Sequence, residues 1–355
     1  MRKVPAILAC VAETSGVQIA GLNLLDRLIV TAHRAGCAPI YLIAETALPV
    51  PRARALGIDI TLASAIPELD EPALLINGGV LVETADLQRV IERGGQLFSA
   101  DGTPMPVAMT TGDAGPVRAG KVATPITEAT SARTAERRLW ASLTSSADGI
   151  VDRFLYRPLG RYLSKILIRA PFSPNQVSIV STVVGILSGW FFACEYFILG
   201  ALLLQLSASI DCVDGDLARV LYKESRLGKW LDLVGDQFVH VGVFAGIGFG
   251  LAASDPASPA LALGISAVLG TIISFAVIVR LMQRKNGGRS STLQKLIDAA
   301  TTRDFSLLVL FLAMVGRLDL FLWMAGIGVH LFWIIAFCSQ WQSARSAPAI
   351  SEKSA

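Results

Sequence analysis

Cysteine and histidine are too few and too scattered in this chain to build a metal centre from nitrogen and sulfur. The five cysteines, Cys10, Cys37, Cys194, Cys212 and Cys338, are odd in number and form no CxxC pair, which argues against a disulfide framework and a zinc site alike. His33, His240 and His330 stand alone, without ligand spacing. Charge is scarce as well: only 17% of the 355 residues are charged, and a formal net charge of +3 is too small to point to nucleic acid. What remains is apolarity. With 53% hydrophobic residues and a mean hydropathy of +0.56, the chain is too apolar for a purely soluble protein, while its length allows two domains.

The apolarity is uneven: residues 1–145 read as an ordinary α/β sequence, whereas 175–341 hold nearly all the long apolar runs. Met1–Cys10 has the look of a leader with a lipoprotein cysteine, but its apolar core is short and contains Pro5, so a buried first strand over Val4–Val11 is expected. A helix over Asn23–Ala35 follows, with Leu24, Leu25, Leu28, Ile29 and Ala32 on one face and Gly36 as its stop. Strands are expected over Ala38–Ala44, Ala73–Asn77 and Gly95–Ala100, and helices over Arg52–Leu56 and Thr84–Gly94. That alternation predicts a parallel-sheet α/β domain. Thr110–Ala135 reads as a loop that leads into a helix from about Ala132.

Beyond Leu139 the pattern changes. Arg153, Arg157, Arg161, Lys165 and Arg169 recur about every fourth position among Phe154, Leu155, Leu159, Tyr162, Leu163, Ile166 and Leu167. This is an amphipathic helix with a basic stripe, suited to the headgroup level of a bilayer or, alternatively, to the surface of the soluble domain. Ser173-Pro174-Asn175 is a helix start, and six spans are expected over approximately 175–194, 197–219, 227–252, 260–283, 303–317 and 320–341. The fifth is short. Lysines and arginines gather in the connections after the second and fourth spans and in the tail, while those near 194–197 and 253–259 have none. The positive-inside rule then puts both termini and the soluble domain in the cytoplasm.

Against this apolar background stand Asp211, Asp214, Asp232 and Asp236. Carboxylates cost several kcal/mol in a bilayer and survive there when paired, bound to a cation or lining a wet cavity. Asp211 and Asp214 are three apart on one helix, Asp232 and Asp236 four apart on the next, so each pair shares a helical face. Four converging carboxylates without a cation would repel one another. Oxygen-only ligation suits Mg²⁺, Mn²⁺ or Ca²⁺, and two such ions can bridge phosphate oxygens. Gly215, Ala218 and Gly228 leave the helix surface bare for a bulky ligand, and Arg219 suits a phosphate as a bidentate donor. Asp216 faces another direction and reads as a solvated bystander.

Asp211-x₂-Asp214-Gly215-x₂-Ala218-Arg219-x₈-Gly228-x₃-Asp232-x₃-Asp236 resembles, without a missing position, the signature of the CDP-alcohol phosphotransferases. The resemblance covers roughly residues 148–341. It implies a six-helix membrane enzyme, commonly a homodimer, that uses two divalent ions, Mg²⁺ or Mn²⁺. An acceptor hydroxyl attacks the β-phosphorus of a CDP-linked donor and CMP leaves. By the same resemblance Asp211, Asp214 and Asp232 would be metal ligands, and Asp236 a ligand or the general base. Gly215, Ala218 and Gly228 would line the cytidine pocket, with Arg219 near the pyrophosphate.

Ile19-Ala-Gly21-Leu-Asn-Leu24-Leu25-Asp-Arg27 and His33-Arg-Ala-Gly36 resemble the sugar-phosphate nucleotidyltransferase fold. Joined to such a membrane domain, it looks like the bifunctional inositol-phosphate cytidylyltransferase/di-myo-inositol-phosphate-phosphate synthases. Two parts are missing: Val11-Ala-Glu-Thr-Ser-Gly16 lacks the glycine-rich basic loop that would cradle a triphosphate, and Asn77 stands where a metal-binding aspartate is expected. Asp101 and Asp113 have no supporting motif. The expected architecture is therefore an α/β nucleotidyltransferase-like soluble domain, degenerate, over 1–135 and a linker with the juxtamembrane helix over 136–172. An all-α six-transmembrane-helix bundle over 173–342 and a tail over 343–355 complete it.

Two substrate readings stay open. One has an inositol-phosphate acceptor, with Arg153, Arg157, Arg284 and Arg303 as an anion pocket for its phosphate or simply as topology-setting charges. The other is a phospholipid synthase that joins CDP-diacylglycerol to inositol phosphate or glycerol phosphate. A reading of another class is a cation carrier built on the same carboxylates; helix breaks or repeat symmetry would favour it, and neither is visible in the sequence.

Overall fold

The structure, a computed structural model, describes residues 3–9, 12–44, 49–110, 114–143, 149, 151–283 and 304–345. It divides into two compact units, Met1–Thr144 with Arg219–Lys223, and Ser145–Ala218 with Glu224–Ala355. Elements of the first unit run β1 (Val4–Ala9), α1 (Ala12–Ser15), β2 (Gln18–Ile19), β3 (Leu22–Asn23), α2 (Leu24–Arg34), β4 (Cys37–Ile43) and α3 (Pro51–Ala55). They continue with β5 (Ile60–Ala63), β6 (Leu74–Asn77), β7 (Val80–Leu81), α4 (Thr84–Arg93), β8 (Gly95–Phe98), β9 (Pro104–Met109), β10 (Ala114–Arg118), β11 (Thr124–Pro125) and α5 (Ala129–Ser142).

Seven of these strands form one sheet in the order β10-β8-β9-β6-β1-β4-β5. Its centre, β6-β1-β4-β5, is parallel, as the alternation of strand and helix predicts. The parallel sheet expected from that alternation is interrupted at β9, which runs antiparallel to both β6 and β8. The reason is local: β8 and β9 are joined by a tight turn at Ser99–Thr103, with Gly102 at φ 86°, and so short a link joins antiparallel strands alone. The loop expected over 110–135 also holds β10 and β11, and its helix starts at Ala129. Gly115-Pro116 hid β10, because a strand with that pair is tolerated only at a sheet edge, where β10 lies.

Helix ends are fixed by side chains. The Asn23 carboxamide oxygen accepts from the Asp26 N–H at 2.7 Å and opens α2, and Gly94, at φ 73°, closes α4 in the left-handed conformation. Asp26 is itself fully buried and accepts from the N–H groups of Arg52 and Ala53, both at 2.7 Å, so one carboxylate holds the start of α3. Apolar side chains of β1, β4 and β6, with Leu87, Val90, Leu97 and Val107, fill the core.

The second unit is helical. A π-helical turn at Asp152–Tyr156 leads into α6 (Arg157–Leu167), followed by α7 (Pro174–Ala193), α8 (Phe197–Val220), α9 (Arg226–Ser254), α10 (Ala260–Gln283), α11 (Asp304–Val315) and α12 (Leu318–Arg345). Among the described residues five helices, α7 to α10 and α12, are long and apolar enough to cross a membrane; α11, at 12 residues, is too short by itself. Leu159, Tyr162 and Ile166 on α6 are exposed.

Glycine lets α7 and α9 touch backbone to backbone. A Cβ on Gly189 would lie 2.5 Å from the Gly242 carbonyl group, and one on Gly246 would collide with the Gly189 carbonyl. Small residues at such a crossing replace the hydrophobic driving force that lipid cannot supply. Phe192, Leu204, Val243, Ile247, Val309 and Leu322 belong to the core that closes the bundle beside this crossing.

Candidate metal and diphosphate site

The aspartates come from two helices. Asp211 and Asp214 sit one turn apart on α8, near its C-terminal end, and Asp232 and Asp236 one turn apart near the start of α9. One carboxylate oxygen from each of Asp211, Asp214 and Asp232 lies within 4.8 Å of the other two. Asp211 is 8% and Asp214 6% exposed, and Asp232 is more open than either. Asp236 is half-buried, one turn beyond Asp232, and is not one of the converging three.

Helix α7 orients the two buried carboxylates. The Ser178 hydroxyl donates to Asp214 Oδ2, and the Ser181 hydroxyl lies 3.4 Å from Asp211 Oδ1 while donating to the Ser178 carbonyl at 2.8 Å. The Ser207 hydroxyl in turn donates to the Ser181 carbonyl at 2.7 Å and ties α8 to α7. All three serines are buried. Sequence reasoning passed over them, although Ser178, Ser181 and Thr182 repeat at helical spacing within an apolar span. Hydroxyls there are donors in search of acceptors: Ser181 and Thr182 donate to the Ser178 carbonyl, and Ser178 donates to Asp214.

Asp216 corrects the sequence reading: it is 1% exposed, and its Oδ1 takes the Arg157 guanidinium at 3.3 Å. Burial forces such a carboxylate to find a cation. Arg157, foreseen as part of an anion pocket, is therefore held by Asp216. Arg153 is exposed, and Arg284 and Arg303 lie outside the described residues. Gly215 and Ala218 are half-buried and Arg219 is exposed. Gly228 has a packing reason to be glycine, since a Cβ would lie 2.9 Å from Asn175 Oδ1 and 3.1 Å from Ser225 Oγ. Ser225, whose hydroxyl accepts from the Gly228 N–H at 2.9 Å, caps α9 and so sets the start of the helix that carries Asp232.

In the first unit, the crevice at the C-terminal ends of β1 and β6 is where open α/β sheets bind ligands. Here Leu8, Thr14, Ser15, Leu24, Gly78 and Gly79 line a space of only about 10 Å³, room for no more than a water molecule. A Cβ at Gly79 would meet the Thr14 side chain and the Ile126 carbonyl. A groove of about 310 Å³ runs beside it, lined by Thr14, Gln18, Glu128, Arg133 and Glu136 among others.

Residues 172–341 match the family model for CDP-alcohol phosphatidyltransferase. The bifunctional IPC transferase and DIPP synthase of Aquifex aeolicus is 34% identical over 94 residues, which cover 26% of this chain and 21% of that protein. The archaetidylinositol phosphate synthase of Pyrococcus horikoshii is 32% identical over 94 residues, covering 26% of this chain and 50% of that protein. Among solved structures, the phosphatidylinositol phosphate synthase of Mycobacterium tuberculosis with CDP-DAG bound is 16% identical at a TM-score of 0.39, covering 56% of this chain and 100% of that one. The chain thus spans a fifth to a half of the length of these curated relatives.

Proposed function

With residues 172–341 a CDP-alcohol phosphatidyltransferase domain, we propose that the chain is an integral membrane, metal-dependent phosphotransferase. It moves the phosphoalcohol moiety of a CDP-linked donor to an acceptor hydroxyl and releases CMP. The acceptor is of the inositol-phosphate type. The single observation behind this reading is the convergence of Asp211, Asp214 and Asp232 on one point between two helices, where oxygen-only ligands suit a hard divalent ion.

Residues present fit such an ion. Two of the three carboxylates are buried, and the Ser178 hydroxyl donates to one of them, Asp214, which fixes its orientation. When bound, two divalent ions, Mg²⁺ or Mn²⁺, would neutralise the diphosphate and favour departure of CMP. Asp211, Asp214 and Asp232 would hold them. Asp236, at the open end of the row, takes the proton of the acceptor hydroxyl as its oxygen bonds to the β-phosphorus and the bond to the CMP oxygen breaks. Arg219 meets the diphosphate, and Gly215, Ala218 and Gly228 leave room for the cytidine.

Five apolar helices carry the membrane reading; in the proposed topology α11 completes a sixth span, both termini face the cytoplasm, and the exposed apolar side of α6 lies at the headgroups. A homodimer follows from family resemblance. The first unit, over residues 1–135, is a degenerate nucleotidyltransferase-like domain, a reading supported by its filled crevice and by Glu128 and Glu136 in the groove beside it. Residues 136–172 link it to the transferase domain over 173–342, with a tail over 343–355.

A second donor reading, CDP-diacylglycerol with inositol phosphate or glycerol phosphate, is favoured by the inositol-lipid synthase among the relatives. CMP release by purified protein with Mg²⁺, comparing CDP-inositol with CDP-diacylglycerol across these acceptors, separates the two. Release from neither donor, with cation flux in sealed vesicles, would replace the transferase by a carrier.

A further inference from the structure

Helix α8 is held from two sides, and the residues of both holds belong to the second unit. On one side Ser178 and Ser181 of α7 lie against Asp214 and Asp211. On the other, Gln205, Ala208, Ser209, Cys212 and Asp216 recur every three or four residues and so share one face. Asp216 is two residues beyond Asp214, roughly 200° round the helix.

That second face is covered by α6 and the π-helical turn before it. A Cβ on Gly160 would lie 2.8 Å from Cys212 Cβ and 3.3 Å from the Ser209 carbonyl oxygen, so α6 lays its backbone directly on α8. Tyr156, fully buried, packs with Ala208 and Cys212. Its hydroxyl bonds to Gln205 Oε1 and lies 2.6 Å from Ser306 Oγ, while Gln205 Nε2 donates to the Ser306 carbonyl at 2.6 Å. At the end of the seam nearest the aspartates, Arg157 Nη1 stands 3.3 Å from Asp216 Oδ1.

A buried ion pair stabilises little beyond apolar residues of the same volume, and what it adds is direction. Direction is what the aspartates need, because Asp211 and Asp214 must meet Asp232, which comes from α9. Side chains end about 5–6 Å from a helix axis, so turning α8 by about 10° moves a carboxylate by about 1 Å. An error of that size in a reacting site costs on the order of 10² in rate. We propose that Arg157 is a positioning residue for the metal site, in which its hold on Asp216 fixes the rotation of α8 and thereby the point where Asp211 and Asp214 meet Asp232. The inference rests on the metal-dependent transferase reading and deepens it: α6 is part of the frame of the metal site.

The test titrates the full-length Arg157→Gln protein with Mn²⁺, followed by electron paramagnetic resonance, with thermal unfolding measured in parallel. The sign of the shift is decisive. Loss of a cation beside a carboxylate cluster tightens Mn²⁺ binding by charge alone, whereas loss of position weakens it. The expected half-saturating Mn²⁺ concentration rises on the order of tenfold. A second variant, Arg157→Gln with Asp216→Asn, removes the pair with no net change of charge and no stranded buried carboxylate, and the same rise is expected. Folded protein of either variant with an unaltered or tighter Mn²⁺ titration overturns the proposal. A lowered melting temperature beside such a titration marks a pair that only stabilises the fold. Wild-type protein that binds no Mn²⁺, or binds it equally well after Asp214→Asn, overturns the metal reading itself and is thereby told apart.

Discussion

Both units bury carboxylates, and they use them in opposite ways. Asp26 and Asp86, fully buried in the first unit, are taken up by local partners: Asp26 by the N–H groups of Arg52 and Ala53, Asp86 by those of Glu83 and Gly120 and by the Arg89 guanidinium. Asp211 and Asp214, nearly as buried, lie against serine hydroxyls, of which Ser178 donates to Asp214, and converge with a third carboxylate from another helix. A carboxylate surrounded by backbone donors holds a turn in place. Carboxylates from two helices that converge on one point repel one another, and a cation between them relieves that repulsion. Burial alone does not separate structure from function; the identity of the partners does.

The contrast is broken most severely at the converging cluster. Asp214→Asn is expected to abolish metal-dependent CMP release, and Asp236→Asn to lower it by roughly 10²- to 10⁴-fold while Mn²⁺ binding, followed by electron paramagnetic resonance, persists. Loss of Mn²⁺ binding in Asp236→Asn would make it a ligand instead of the base. Ser178→Ala, which removes the donor to Asp214, should raise the half-saturating Mn²⁺ concentration by about 10- to 100-fold, with Ser178→Thr recovering most of it. An unaltered Mn²⁺ titration would reduce Ser178 to a packing residue.

In the first unit the corresponding change is one of stability. Asp26→Ala should destabilise that unit by about 3 kcal/mol, read as faster amide exchange in α2 and α3, and leave the Mn²⁺ titration as it is. A shift in the titration instead would mean that the two classes of carboxylate are not distinct.

The smallest effect concerns Cys37, where burial in β4 pushes the thiol up to about 12. The folded value lies above the unfolded one of 9.0, so the stability it contributes is complete below pH 9.0 and is lost as pH rises through about 12. At pH 8 a thiol reagent should therefore label Cys194 ahead of Cys37, checked by mass spectrometry; rapid labelling of Cys37 in folded protein would contradict it.

Much of this arrangement was legible in the residues. Asp211, Asp214 and Asp232 announced themselves because a carboxylate in an apolar run violates the local pattern, and helical spacing then fixed which shared a face. Periodicity gave α2 and α4 within a residue or two, since both carry strong caps at Asn23 and Gly94. Strand β10 escaped because Gly115-Pro116 contradicts its state, and the edge of a sheet forgives what its centre would not. Asp216 was misread for a different reason: its cation, Arg157, comes from 59 residues away and no local pattern encodes that pairing. Ser178 belongs to the same class, a hydroxyl whose acceptor, Asp214 on α8, is supplied only by tertiary packing.

The central claim, that the aspartate cluster is a metal-dependent CDP-alcohol transfer site, is met most directly by one titration. CMP release by the purified chain is followed with a CDP-linked donor and an inositol-phosphate acceptor as EDTA is added and Mg²⁺ or Mn²⁺ restored. Release should stop with the chelator, return with the metal, and be absent at every metal concentration in Asp214→Asn. Release indifferent to EDTA, or undiminished in Asp214→Asn, would contradict it.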